Sequence, residues 1–209
     1  MRYIKHEDSQ LHFAQTDKPA LKDNEVLIAV AAIGVNRADC LQRQGKYPAS
    51  KGDSEILGLE CAGTIVEQGS AVSGDWLNKR VFALCAGGAY SEYVAVDAAQ
   101  VMSLPDEMTM AEGAAISEVY LTAFSALFQF GQLKAGQTAL IHAGASGVGG
   151  AAIQMAKRAG AQVVITAGSD EKCEHAKQLG ADHTINYKTT DFVEYFKANN
   201  LQANTIVDP

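Results

Sequence analysis

The eight residues His142-Ala143-Gly144-Ala145-Ser146-Gly147-Val148-Gly149 constrain this 209-residue chain more than any other segment. They lie between a short apolar run, Thr138 to His142, and a stretch of helical periodicity, Gly147 to Ala159. A strand that turns through glycines into a helix brings free N–H groups and the positive dipole end together, and a phosphate binds there. In a dinucleotide fold the glycines allow a tight turn, close approach of backbone to pyrophosphate, and close packing of helix on strand. Against the spacing G-x-G-x-x-G, Gly144 and Gly149 hold the outer positions and Ser146 replaces the middle glycine. Serine is small, and its hydroxyl can donate to a phosphate. Gly144, Ala145, Ser146, Gly147, Val148 and Gly149 are thus the candidate pyrophosphate cradle. A tight turn without a ligand is the alternative.

Strands and helices alternate after the loop. Gln162 to Thr166 reads as a strand, Asp170 to Leu179 as a helix closed by Gly180, and His183 to Asn186 as a strand. Asp191 to Ala198 reads as a further helix and Thr205 to Asp208 as a last strand. Alternation of this kind implies right-handed crossovers and a parallel sheet. The strand from Gln162 ends in Thr166-Ala167-Gly168-Ser169, without the acid that bonds a ribose 2′-hydroxyl in NAD-preferring folds. Ser169 and Lys172 can instead take a 2′-phosphate, which favours NADP. The competing reading makes Ser169 a helix cap and Lys172 a solvated surface residue. Asp170 and Glu171 oppose the phosphate by adding negative charge.

The first half has a different texture. Glu25 to Val35 is almost continuously apolar, as expected of a strand buried on both faces. Gly63 to Val66, Arg80 to Leu84 and Tyr90 to Val96 are further strand-like pieces, punctuated by glycines. They predict a mainly β barrel or sandwich over residues 1–110. Thr109-Met110-Ala111-Glu112 is a capping box opening an Ala-rich helical stretch to about Phe130, within a second domain over 111–209.

Composition narrows the function classes. Hydrophobic residues make up 47% and charged residues 20%, which gives enough apolar surface for a packed core. The net charge of −7 argues against nucleic-acid and anionic-membrane partners. The longest apolar run, Val26 to Ile33, is too short to span a bilayer, and no signal-like segment follows Met1, so a cytoplasmic protein is expected. Cys40, Cys61, Cys85 and Cys173 form no CxxC pair and read as reduced thiols.

Several segments together resemble the medium-chain dehydrogenase/reductase superfamily, in its zinc-free quinone oxidoreductase (zeta-crystallin-like) branch. They are Asn36-Arg37-Ala38-Asp39, Gln44-Gly45-Lys46-Tyr47-Pro48, Gly58 to Val66, Tyr120-Leu121-Thr122-Ala123, the loop at 142–149, and Asn186-Tyr187. The resemblance covers essentially the whole chain. It implies an α/β protein: a GroES-like β-barrel catalytic domain, then a Rossmann doubly wound parallel sheet, with the active site in the cleft between them. Asn36 and Tyr47 would line the nicotinamide and substrate, with Tyr47 either donating a proton or merely packing. Thr122 would lie near the nicotinamide and phosphates, Ser169, Lys172 and Tyr187 would hold the 2′-phosphate of NADPH, and Gly168 would belong to the same cofactor site. Asp39, Glu60 and His142 read as structural.

Zinc-dependent relatives carry a ligand Cys where this chain has Asn36 and a His where it has Leu59, and their Cys-rich lobe has no counterpart here. The implied metal is none. The implied activity is NADPH-dependent reduction of a quinone or conjugated carbonyl. An enoyl or alkenal reductase of the same superfamily and a non-catalytic nucleotide-binding protein are the alternatives. The implied partners are a small-molecule quinone or enone and a second subunit in a homodimer. Family chains of roughly 320 residues continue into strands five and six of the sheet. This chain therefore reads as a fragment truncated after the fourth strand.

Overall fold

The polar start of the chain forms a hairpin that no apolar alternation announces. In a computed structural model describing residues 1–7 and 10–209, β1 (Arg2–Glu7) pairs antiparallel with β2 (Gln10–Gln15). Its side chains are mostly exposed or half-buried, which explains the missing signal.

β3 (Glu25–Ile33) is followed by α1 (Arg37–Arg43), β4 (Glu60–Gln68), β5 (Arg80–Leu84), β6 (Tyr93–Asp97) and β7 (Val101–Ser103). The five strands β3 to β7 form one antiparallel sheet in the order β6-β3-β4-β5-β7. Val26, Leu27 and Ile28 of β3 are buried, but Ile33 is 37% exposed. The apolar run is therefore not buried on both faces along its length, because an antiparallel sheet can leave one face to water. The β3–β4 ladder shifts register at Leu27/Ile28 and again at Val30/Ala32. Such irregularities bend strands and raise local twist, and they curl this sheet into a GroES-like half-barrel.

The capping box forms as the spacing predicts. At the start of α2 (Met110–Gly113), Glu112 N–H donates to the Thr109 hydroxyl at 3.2 Å, and Thr109 N–H donates to the Glu112 carboxylate at 2.8 Å. The helix packs on the curled sheet: a Cβ at Gly113 would lie 2.6 Å from Leu104 Cδ1 and 3.4 Å from Ala62 Cβ. The domain boundary expected from sequence lies at 110/111, whereas the compact units are Met1–Glu118 and Val119–Pro209, and α2 packs with the first sheet's core. The predicted continuous helix to Phe130 is also interrupted. α3 (Ser117–Phe124) begins afresh and widens into π turns over Ser125–Phe130.

The second unit continues with β8 (Thr138–Ile141), α4 (Gly147–Arg158), β9 (Gln162–Ala167), α5 (Asp170–Gln178), β10 (His183–Asn186), α6 (Phe192–Ala198) and β11 (Thr205–Val207). The four strands are parallel in the order β10-β9-β8-β11. This is the 3-2-1-4 portion of a doubly wound sheet. Ile141, Ile153, Val163 and Ile165 are fully buried between sheet and helices. Among the described residues β11 pairs on one side only, and its Ile206 is 62% exposed.

Candidate cofactor and substrate sites

The parallel sheet places the carboxyl ends of β8, β9 and β11 along one edge, where doubly wound folds bind ligands. The loop after β8 turns tightly there. Ser146 N–H donates to the Ala143 carbonyl at 2.8 Å, and Ala143 takes the left-handed φ of 48°. A Cβ at Gly144 would lie 2.6 Å from Ile165 Cβ of β9, and one at Gly149 would strike the loop backbone at Ala143 and Gly144. Both glycines therefore serve close packing of loop, helix and strand. Ser146 caps α4 by accepting from Gly149 N–H at 3.0 Å. Its hydroxyl proton stays free, and the Gly147 and Val148 N–H groups have no acceptor among the described residues. An anion at this end gains their hydrogen bonds and the helix dipole.

A groove of about 480 Å³ opens beside the loop. It is lined by Ala145 and Ser146 from the loop, Gly168 and Lys172 beyond β9, and Tyr187 beyond β10. A Cβ at Gly168 would lie 2.7 Å from the Tyr187 hydroxyl, so this glycine lets the tyrosine close over the strand end. Ser169 is the N-cap of α5, accepting from Lys172 N–H at 3.3 Å. Its capping role is thus present, and its hydroxyl proton remains available. Lys172 makes no ion pair among the described residues. Of the two acids that oppose a phosphate here, Asp170 accepts a hydrogen bond from Asn186 Nδ2 at 2.7 Å. His142, Thr166, Phe192 and Asp208 also line the groove, although no motif singles them out for it. His142 Nδ1 lies 2.9 Å from Thr166 Oγ1, and its ring meets Phe192 edge-on at 5.2 Å. Thr122 and Val148 lie elsewhere, bordering a second groove of about 550 Å³ with Phe130 and residues 204–209.

Asn36 and Tyr47 belong to the first unit, before and after α1. Asn36 caps α1: its N–H donates to Asp39 Oδ2 at 2.8 Å in a capping box, and its Nδ2 donates to Glu60 Oε1 at 2.8 Å. Tyr47 follows in a bend and is 51% exposed. No hydrogen bond joins the two among the described residues. Beneath Asn36 is a buried acidic layer. Glu60 is 2% exposed, and its Oε2 accepts from Glu118 N–H at 3.0 Å. Asp39 accepts from the Tyr90 hydroxyl at 3.1 Å. Burial, with the charges of Glu60 and Asp39, pushes the Glu118 carboxyl above the usual carboxylate range. Among the described residues, no three His, Cys, Asp or Glu side chains come together to hold a metal ion.

The chain matches the alcohol dehydrogenase GroES-like domain family over residues 22–106 and the zinc-binding dehydrogenase family over residues 147–209. A probable oxidoreductase from Mycobacterium abscessus superposes with a TM-score of 0.88 at 30% identity, over 100% of this chain and 68% of that one. The chain belongs to the medium-chain dehydrogenase/reductase superfamily.

Within the superfamily it falls in the quinone oxidoreductase-like branch. The Escherichia coli quinone oxidoreductase solved in complex with NADPH superposes with a TM-score of 0.82 at 32% identity, over 95% of this chain and 61% of that one. The CurK enoyl reductase superposes with a TM-score of 0.87 at 30% identity, over 95% and 63%. Among curated relatives, the Rattus norvegicus synaptic vesicle membrane protein VAT-1 homolog is 38% identical over 86% of this chain. The chain spans only 44% of that relative's length. No helix among the described residues is long and apolar enough to cross a membrane.

Proposed function

We propose that this medium-chain dehydrogenase/reductase carries hydride from NADPH to quinones or related conjugated carbonyls, without zinc. The observation that carries the cofactor is the groove beside the α4 N-terminus, where Ser146, Lys172 and Tyr187 meet and β9 ends without an acid. The similarity to a quinone oxidoreductase that binds NADPH supports the same reading. When bound, NADPH supplies a hydride from its nicotinamide ring. The Gly147 and Val148 N–H groups and the Ser146 hydroxyl hold the pyrophosphate. Lys172 pairs with the 2′-phosphate, and Ser169 and Tyr187 donate to it. Thr122 and Val148, on the far side of the loop, border the nicotinamide half. Asn36 and Tyr47 meet the acceptor oxygen, and Tyr47 gives it a proton.

The residues at the zinc position support a metal-free reaction. The Asn36 amide is a hydrogen donor committed to Glu60, and Leu59 offers no ligand atom. A quinone needs no Lewis acid, because hydride addition followed by protonation gives an aromatic hydroquinone. The similarity to an enoyl reductase favours a second reading, reduction of a conjugated C=C bond. NADPH oxidation measured side by side with a quinone, an enal and an enoyl thioester separates the two, and the quinone should turn over fastest. Turnover that is lost on chelation and restored by zinc would overturn the metal-free reading.

A further inference from the structure

We propose that Glu60 is a positioning residue, which acts by fixing the side-chain amide of Asn36. The inference rests on the role given above to Asn36. Glu60 lies at the start of β4, buried at 2% exposure, and both its oxygens are engaged. Oε1 accepts from Asn36 Nδ2 at 2.8 Å, and Oε2 accepts from the backbone N–H of Glu118 at 3.0 Å. An ionised carboxylate only accepts, so it dictates that the nitrogen end of the Asn36 amide faces it. On the other side the Asn36 N–H donates to Asp39 Oδ2 at 2.8 Å, which holds the residue at the start of α1. One Nδ2 hydrogen is then spoken for, and the second is a donor of fixed direction for an acceptor oxygen. Chain geometry elsewhere preserves the arrangement. Gly34 has no side chain, and a Cβ there would collide with the Glu60 carboxylate, lying 2.6 Å from its Cγ. Gly34 is not in the left-handed region, so its backbone does not demand glycine. The space is kept for Glu60.

Glu60→Gln tests this with almost no change of volume. A glutamine has one acceptor oxygen for two donors. The Glu118 N–H is fixed by the backbone, so it retains the oxygen, and the new NH2 faces Asn36. Two donors then oppose each other, and the Asn36 amide turns over to present its oxygen. With NADPH and 1,4-benzoquinone, Glu60→Gln should lower kcat by about tenfold or more, the scale of one lost charge-assisted hydrogen bond. The NADPH dissociation constant should stay within about twofold, since that cofactor is held by other residues. Gly34→Ala, which displaces Glu60 from a different position, should reproduce the loss. Asn36→Ala should abolish the effect of Glu60→Gln, because a residue that acts only through Asn36 adds nothing once the amide is gone.

Additive losses in the double variant, or wild-type kcat in Glu60→Gln, would overturn the proposal. A wild-type protein that never oxidises NADPH with any acceptor would overturn the functional reading instead. The positioning is then judged on the Asn36 side-chain NH2 resonances in 15N spectra. Shifted resonances and faster hydrogen exchange in both Glu60→Gln and Gly34→Ala support it, and unchanged resonances overturn it.

Discussion

Gly149 and Gly150 sit side by side in the first turn of α4, yet the structure gives them opposite fates on substitution by alanine. At Gly149 an added Cβ meets backbone: it collides with the Ala143 carbonyl oxygen and lies 2.8 Å from both Gly144 C and Gly144 Cα. Backbone cannot rotate away, so either the loop opens or the helix shifts. Overpacking of this kind costs about 1–3 kcal/mol, and the gain of up to about 1 kcal/mol from replacing glycine by alanine in a helix offsets only part of it. At Gly150 the nearest atom is Leu179 Cδ1 at 3.3 Å, the end of a flexible side chain. There the helix gain dominates, and Gly150→Ala should be neutral or stabilising by up to about 1 kcal/mol. The assays are denaturant unfolding and NADPH titration by fluorescence. Gly149→Ala should lose stability and weaken NADPH binding by about tenfold or more, because the displaced loop carries the phosphate donors. Gly150→Ala should bind as wild type. Equal stability and equal affinity in the two variants would refute the reasoning.

Three further outcomes follow from single side chains. Lys172→Ala should weaken NADPH binding by about 1–2 kcal/mol and leave NADH almost unchanged, and equal losses for both cofactors would show that Lys172 does not read the 2′-phosphate. Burial raises the Asp182 pKa, but hydrogen bonds from Lys157 and the Val163 N–H outweigh it and hold it below the usual range. Its contribution is therefore present above the ordinary Asp pKa of about 4 and is lost as pH falls through the lower folded value, so Asp182→Asn should flatten the acid limb of a Tm–pH profile. Burial and the charges of Glu60 and Asp39 raise the Glu118 pKa, so ionisation costs stability as pH rises through it. Glu118→Gln should raise Tm at pH 7 more than at pH 4, and a lower Tm at both would contradict this.

The second unit was far more legible than the first, and the reason is periodicity. Parallel strands such as Gln162–Ala167, buried from Val163 onward, follow helices with clear caps, so their limits fall within a residue or two of the expected ones. The strands Arg2–Glu7 and Gln10–Gln15 are half-buried or exposed along their length, and α1 has only seven residues, so neither leaves a clear hydrophobic pattern. The capping pair Asn36 and Asp39 was the available signal for α1, spaced as the motif requires. For the site, the glycine loop named the cradle, but His142, Phe192 and Asp208 reach the groove only through sheet register. Adjacency of strand ends is a long-range fact that local spacing does not encode. The Asn36–Glu60 contact is of the same kind, since it spans the connection between β3 and β4.

The charge of the chain sharpens what that groove must do. A net charge of −7 repels a polyphosphate at long range, but at physiological salt such repulsion fades beyond about 8 Å. Affinity must therefore come from groups in contact. The groove meets this requirement with a cation and a helix end, while Asp170 of α5 accepts a hydrogen bond from Asn186. Asp208 is the one carboxylate among its lining residues. It stands at the end of β11, whereas Lys172 and Tyr187 stand beyond β9 and β10, on the opposite side of β8 in the sheet order. The groove thus carries positive charge toward one end and negative charge toward the other. Under the proposed reading, a ligand with a phosphate at one end and a hydrogen-bond donor at the other satisfies both, and this polarity would set the direction in which NADPH lies across the strand ends.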